Sequence, residues 1–209
     1  ALFAKSGPQI AAFSAGARVD YTAVWQVKRT VLDACFAHFE QRSDADALVA
    51  DFDRFVAAGG LPLQQFARFE AIAAEHPRVP WYEWPHALRQ SDASGIADFA
   101  GRHARRVKFS LYLQWLADRQ LDAAARHAHA SGLALGFFRD LAVGAAPDGA
   151  EVWANPSAFA RGVSIGAPPD PFSTAGQNWN LPPLNPGTLM TSACAGFGDL
   201  VAANMRHAG

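Results

Sequence analysis

The stretch Gly166-Ala-Pro-Pro-Asp-Pro-Phe-Ser-Thr-Ala-Gly-Gln-Asn-Trp-Asn-Leu-Pro-Pro-Leu-Asn-Pro186 limits the chain more than any other. Its six prolines make it too irregular for a helix and too proline-dense for a central strand, so it reads as one long loop. Structureless loops longer than about 12 to 15 residues are uncommon in compact domains unless they are functional or disordered. Phe172 and Trp179 argue against disorder, and the prolines lower the entropy lost on ordering. A stiff, aromatic, amide-bearing loop is suited to gripping a ligand.

A chain of 209 residues fits one domain, or a domain with a subdomain. The formal net charge of -1 supplies no broad basic field, which disfavours nucleic acid and anionic membrane as partners. No apolar run reaches the roughly 18 residues needed to span a bilayer. The opening residues, Ala1 to Pro8, lack an initiator Met and a signal pattern, which suggests a trimmed or excised chain. Cys35 and Cys194 sit far apart on helical patterns and read as small buried hydrophobes rather than a disulfide, in keeping with a reducing cytoplasm.

Along the chain, Val24, Val27, Val31 and Cys35 form one stripe of a helix from Val19 to about Gln41. Ser43 and Asp46 resemble a capping box for a second helix, which Gly59-Gly60 stops. Pro62 opens a third, with Phe66, Phe69 and Ile72 on its buried face and Pro77 beyond its end. The connection from Val79 to His86 carries Trp81, Tyr82 and Trp84, aromatics expected to pack in a core. Ser91 or Asp92 can cap a helix running, with a break, to about Ala130, with Ile96, Phe99, Val107, Leu111 and Trp115 facing inward. Its Arg102, Arg105, Arg106 and Lys108 read as a solvated face. His127 and His129, two apart on a helix, point away from each other and do not suggest a shared metal.

Gly132 ends that helix, and the apolar run Leu133 to Gly144 reads as a buried parallel strand, one unit of an α/β architecture. Arg139-Asp140 lies within it. A carboxylate at the C-terminal end of a barrel strand faces substrate, whereas the alternative is a local ion pair or a helix-terminus contact. Pro147-Asp-Gly149 signals a turn, and Leu189, Ala193, Phe197, Leu200, Val201 and Met205 predict a final helix weakened by Gly196 and Gly198.

No phosphate loop, His-Glu-x-x-His, Cys-x-x-Cys or Gly-x-Ser-x-Gly occurs. Residues 139 to 186 instead concentrate aromatics and short polar groups: Asp140, Glu151, Trp153, Asn155, Asp170, Gln177, Asn178 and Trp179. Carboxylates and amides bond sugar hydroxyls, and the apolar face of a pyranose lies against an aromatic ring, so this set suits a neutral polyol. Alternatively, Trp179 and Phe172 simply pin the loop down.

Gly166-Ala-Pro-Pro-Asp-Pro-Phe172, Gly176-Gln-Asn-Trp179, Phe138-Arg-Asp-Leu-Ala-Val-Gly144 and Ala150-Glu-Val-Trp-Ala-Asn-Pro156 together resemble the 4-α-glucanotransferases, the amylomaltase or disproportionating-enzyme family. Pro80-Trp-Tyr-Glu-Trp-Pro85 and Val19-Asp-Tyr21 look like that family's helical insertion. The resemblance covers nearly the whole chain. It implies an α/β fold, a partial (β/α)8 TIM-barrel segment with a helical insertion subdomain, predominantly α by content. Residues 1–130 would be the insertion and a barrel helix, and 131–209 the barrel strand, substrate-binding loop and following helix.

The family cuts an α-1,4-glucan, holds the glycosyl part on an Asp and passes it to another glucan, with no cofactor or metal. Position by position, the resemblance makes Asp140, Trp153, Asp170, Gln177 and Trp179 substrate-binding. Pro171 stands where some members have Tyr, and Asn180 where Gly is usual. The strand carrying the nucleophile and the later acid/base segments have no counterpart here, so no catalytic residue is assigned. A maltooligosaccharide and the remaining barrel segments of a parent enzyme are the implied partners. A non-catalytic glucan-binding module and a helical interaction module are the alternatives.

Overall fold

The computed structural model describes residues 2–91 and 93–208, with side chains from Gly7 onward. It is mostly helical. The chain divides into two compact units, one up to Ala58 and one from Gly59.

The first unit holds α1 (Leu2–Ala15), α2 (Tyr21–Phe39) and the first part of α3 (Ala47–Glu75). Asp20 starts α2 by accepting the Ala23 N–H at 3.0 Å, one of the orphan donors of a first turn. Phe36 and Phe39 are its buried residues, and Phe39 meets Phe52 edge to face at 5.4 Å. Cys35 is exposed, as is Cys194, and both thiols are free, so the expectation of two buried hydrophobes is corrected. On α2 the buried face is set by the larger phenyl rings next in sequence. Asp46, not Ser43, receives the first-turn N–H, that of Leu48 at 2.8 Å. That bond and Arg42, 2.7 Å away, hold the Asp46 carboxyl below the usual carboxylate range. At Gly60 the backbone leaves helical geometry (φ 53°, ψ -145°), which confirms the predicted break.

In the second unit, the rest of α3 is followed by short 3-10 turns at Trp81–Glu83 and His86–Leu88, then α4 (Ser94–Arg102) and α5 (Ala104–Ala130). Ile96, Phe99, Val107, Leu111 and Trp115 are buried, as their spacing predicts. Ser91 caps nothing; its hydroxyl donates to Ala154 O at 3.0 Å and accepts from Gln65 at 3.2 Å. Asp92 lies outside the described residues. Gly132, at φ 92°, ends α5, with the Leu133 N–H returning to Ala128 O.

The core here is a knot of three rings. Phe69 lies 5.2 Å from Trp84 and 5.7 Å from Trp153, and the two indoles are 6.3 Å apart. Each indole N–H finds a backbone carbonyl, Trp84 that of Val79 and Trp153 that of Leu88, so neither polar atom is buried unpaired. Trp81 is half-buried and donates to Pro147 O, while Tyr82 stays half in solvent. These bonds cross residue 130 in both directions of the chain. All of them lie within the unit that starts at Gly59.

Beyond α5, the apolar run 133–144 is not a strand. Leu135, Phe138, Leu141 and Val143 are exposed, Phe138 at 96%. A strand of a parallel sheet is held by ladder bonds to neighbours, and none of the described residues supplies them. The observed sheet lies later: β1 (Ile165–Ala167) and β2 (Gln177–Leu181) pair antiparallel, following α6 (Ala150–Ala154). The stretch predicted as one irregular loop is therefore a hairpin with an irregular tip. The final predicted helix is two, α7 (Pro186–Thr191) and α8 (Ala195–Met205), because Ala193 and Cys194 take left-handed φ of 49° and 59° between them.

Candidate functional site: a two-faced hairpin

Two glycines make the hairpin possible. A Cβ at Gly166 would come 2.0 Å from Gln177 O on the opposite strand, and one at Gly176 would come 2.7 Å from Ala167 O. Gly176 also has φ 72°, where any other residue is strained. Register runs Gly166 to Asn178 but Ile165 to Leu181, so Trp179 and Asn180 form a bulge with no partner opposite. Asn180 takes the left-handed φ of 53°, and its N–H is held by Asn178 Oδ1 at 2.8 Å. Asn is among the few non-glycine residues that enter this region readily.

At the tip, Asp170 Oδ1 accepts the N–H groups of Phe172 (2.8 Å) and Ser173 (2.7 Å), and the Ser173 hydroxyl donates to Gly176 O. One carboxylate oxygen of Asp170 is thus committed to the turn, and Phe172 projects 99% exposed from it.

On one side of β2 stand Gln177 and Trp179, residues i and i+2 of the strand. The Trp179 indole N–H donates to Gln177 Oε1 at 2.9 Å, and the ring remains 41% exposed. The only hydrogen bond of the Trp179 indole among the described residues thus stays within its own strand. On the other side, Asn178 and Asn180 line a cleft of about 720 Å³ with Trp81, Tyr82, Arg89 and Arg161. Residue type and local spacing single out Asn178 but not the rest, because Arg89 and Arg161 are brought together only by the fold.

Asp140 sits elsewhere. Arg139 donates to Asn204 O at 2.6 Å, near the C-terminal end of α8, where orphan carbonyls accept a cation's hydrogen bond. Asn204 in turn donates to the Asp140 carbonyl at 3.0 Å. The charged pair thus resolves in favour of a helix-terminus contact for Arg139, and the Asp140 carboxylate accepts no hydrogen bond among the described residues. The segment ends against the hairpin, since a Cβ on Gly144 would lie 3.2 Å from Ile165 Cδ1.

Trp153 is the clear correction. It is fully buried in the ring knot with its N–H committed to Leu88 O, so no ring face is left for a ligand. Its neighbour Glu151 reaches the surface, yet partial burial pushes its carboxyl above the usual range.

The four remaining predicted residues divide between a touching pair, Gln177 and Trp179, a turn-setting Asp170, and an Asp140 fixed through its backbone. With that geometry in place, the family profile described as 4-alpha-glucanotransferase matches residues 4–209. The chain belongs to the 4-alpha-glucanotransferase family. The enzyme of that name from Mycobacterium tuberculosis H37Rv is 40% identical over 191 residues, 91% of this chain and 26% of that relative. The crystal structure of amylomaltase from Corynebacterium glutamicum superposes with a TM-score of 0.71 at 30% identity, over 89% of this chain and 24% of that one. Amylomaltase from Streptococcus agalactiae in complex with acarbose gives 0.78 at 22% identity, over 91% and 39%. This chain thus spans about a quarter of the length of the mycobacterial 4-alpha-glucanotransferase. Among the described residues, no helix is long and apolar enough to cross a membrane.

Proposed function

We propose that this chain is a substrate-binding segment of a cytoplasmic 4-alpha-glucanotransferase, in which Gln177 and Trp179 lie against an α-1,4-glucan. The observation that carries the reading is the 2.9 Å bond from Trp179 to Gln177. It holds an exposed indole in one orientation before any ligand arrives, which lowers the ordering cost of stacking a sugar ring. The Gln177 amide N–H groups stay available for hydroxyls. Asp140, with its carboxylate unengaged, and the second oxygen of Asp170 add acceptors for the same ligand.

In the whole enzyme the reaction is retaining transfer between maltooligosaccharides. That chemistry needs two carboxyl groups about 5 to 5.5 Å apart across the scissile bond, one as nucleophile and one as acid/base. No residue of this chain matches the family's motifs for that pair, so the chain alone binds without cutting. The run 133–144 becomes a barrel strand once neighbouring segments of the enzyme supply its ladder.

Titrating the chain with maltotriose quenches tryptophan fluorescence on this reading, and Trp179→Ala removes the response. Absence of quenching at high millimolar ligand would reject glucan binding by the hairpin. Disproportionation of maltotriose by the isolated chain would instead reject its inactivity.

A further inference from the structure

The cleft on the opposite side of β2 carries a different chemistry. Its polar lining includes Arg89 and Arg161, Ser164 and the amides of Asn178 and Asn180, and among the described residues no carboxylate lines it. Arg89 spends its Nε–H on Trp84 O, and its two terminal nitrogens make no further hydrogen bond or ion pair among the described residues. Arg161 makes no hydrogen bond or ion pair among the described residues. Two arginines therefore line one concavity that holds no carboxylate among its described lining residues. Beside them, Trp81 and Tyr82 meet edge to face at 5.6 Å, and the Trp81 N–H is tied to Pro147 O, so these rings form a fixed apolar wall.

We infer that this cleft binds a phosphorylated hexose unit, at a site separate from the Gln177 and Trp179 side of the strand. A neutral sugar would leave both cations uncompensated and would find no carboxylate to take its hydroxyl protons. A phosphate monoester brings nearly two negative charges and three acceptor oxygens, and guanidinium groups match it with paired hydrogen bonds. The hexose ring then lies on the wall of Trp81 and Tyr82, with its hydroxyls bonded by Asn178 and Asn180. A volume of about 720 Å³ holds such a ligand with space left over, within the range of small-molecule pockets. Free sugar phosphates and phosphate esters carried on a glucan chain share this chemistry.

Arg161 offers the cleanest test, because it is exposed and holds no structural contact, whereas Arg89 supports the Trp84 backbone. Calorimetric titration of the 209-residue chain with glucose 1-phosphate should show binding at least about tenfold tighter than glucose. Arg161→Ala should weaken it by about tenfold or more, with unchanged circular dichroism, and Arg161→Lys should restore part of it. Trp179→Ala should leave it unchanged, so the result does not depend on glucan binding by the other side of the strand.

No heat with glucose 1-phosphate at about 10 mM, or equal affinity in Arg161→Ala, would overturn the inference. Inorganic phosphate binding as tightly as the ester would overturn the hexose half of it. A maltotriose phosphate ester binding more tightly than glucose 1-phosphate assigns the site to phosphorylated glucan chains, and weaker binding assigns it to the free ester.

Discussion

Trp153 and Trp179 belong to the same kind of motif, an indole beside short polar residues, and the fold uses them in opposite ways. Trp153 is sealed in the ring knot with its N–H on a backbone carbonyl, whereas Trp179 stands on a hairpin with its N–H on a side-chain amide. The backbone carbonyl belongs to a residue 65 positions away, so the Trp153 bond joins distant parts of the chain. The amide is two positions away, so the Trp179 bond joins nothing beyond the hairpin itself. The Trp153 bond thus ties the ring knot to a distant turn, while the Trp179 bond stays within its own strand and leaves part of the indole at the surface.

Substitution offers direct ways to break that contrast. Trp153→Ala has the largest expected effect, a loss of about 3 to 5 kcal/mol from the emptied core and the unpaired Leu88 carbonyl. Denaturant unfolding measures it, and a loss below about 1 kcal/mol would remove the knot from the fold's foundations. Trp179→Ala, the variant that removes glucan quenching, serves as the control and should stay within about 0.5 kcal/mol of the parent in the same experiment.

Gly166→Ala comes next. The added methyl collides with Gln177 O, so one strand must move, at about 1 to 3 kcal/mol. Hydrogen exchange should show lost protection at the β1 and β2 amides and little change in α5. Loss of the glucan response without loss of global stability would sharpen the division between a supporting core and a working hairpin.

The smallest effect concerns Glu151, two residues before Trp153 on α6. Burial raises its carboxyl above the unfolded value, so the folded state resists ionisation. Stability from the protonated form is therefore complete below the ordinary glutamate range and declines as pH rises through the raised folded value. Glu151→Gln should flatten that decline and leave the variant slightly more stable near neutrality, as thermal melts across pH 4 to 8 would register. An unchanged pH profile would show that the carboxyl is as well solvated as in the unfolded chain.

How far sequence reaches depends on whether the deciding interaction is local. Periodicity located α2 and α5, and the pair Gly59-Gly60 located the break in α3, because each rests on near neighbours. The hairpin was harder. Its signal was present in Gly166 and Gly176 flanking the Pro-Pro-Asp-Pro turn, but proline density pointed to a loop. The run 133–144 has the composition of a buried strand, and composition states what a segment tolerates, not whether a partner is in reach. Trp153 was misassigned for a related reason, since residue type does not say which indole the core will claim. Gln177 and Trp179 stand out by residue type and resemblance, and their side-by-side placement follows only once the stretch is seen to be a strand. Arg89 and Arg161 could not be paired, because only the folded chain places them in the same cleft.

The clasp between Arg139, Asp140 and Asn204 also sets an order in time. The residues that position the run 133–144 lie 65 positions downstream of Arg139. At synthesis rates of about 5 to 20 residues per second, roughly 3 to 13 seconds pass before Asn204 is made. Throughout that interval the run lacks the clasp, and because Leu135, Phe138, Leu141 and Val143 remain exposed once it has closed, the clasp fixes the path of the backbone without sheltering these side chains.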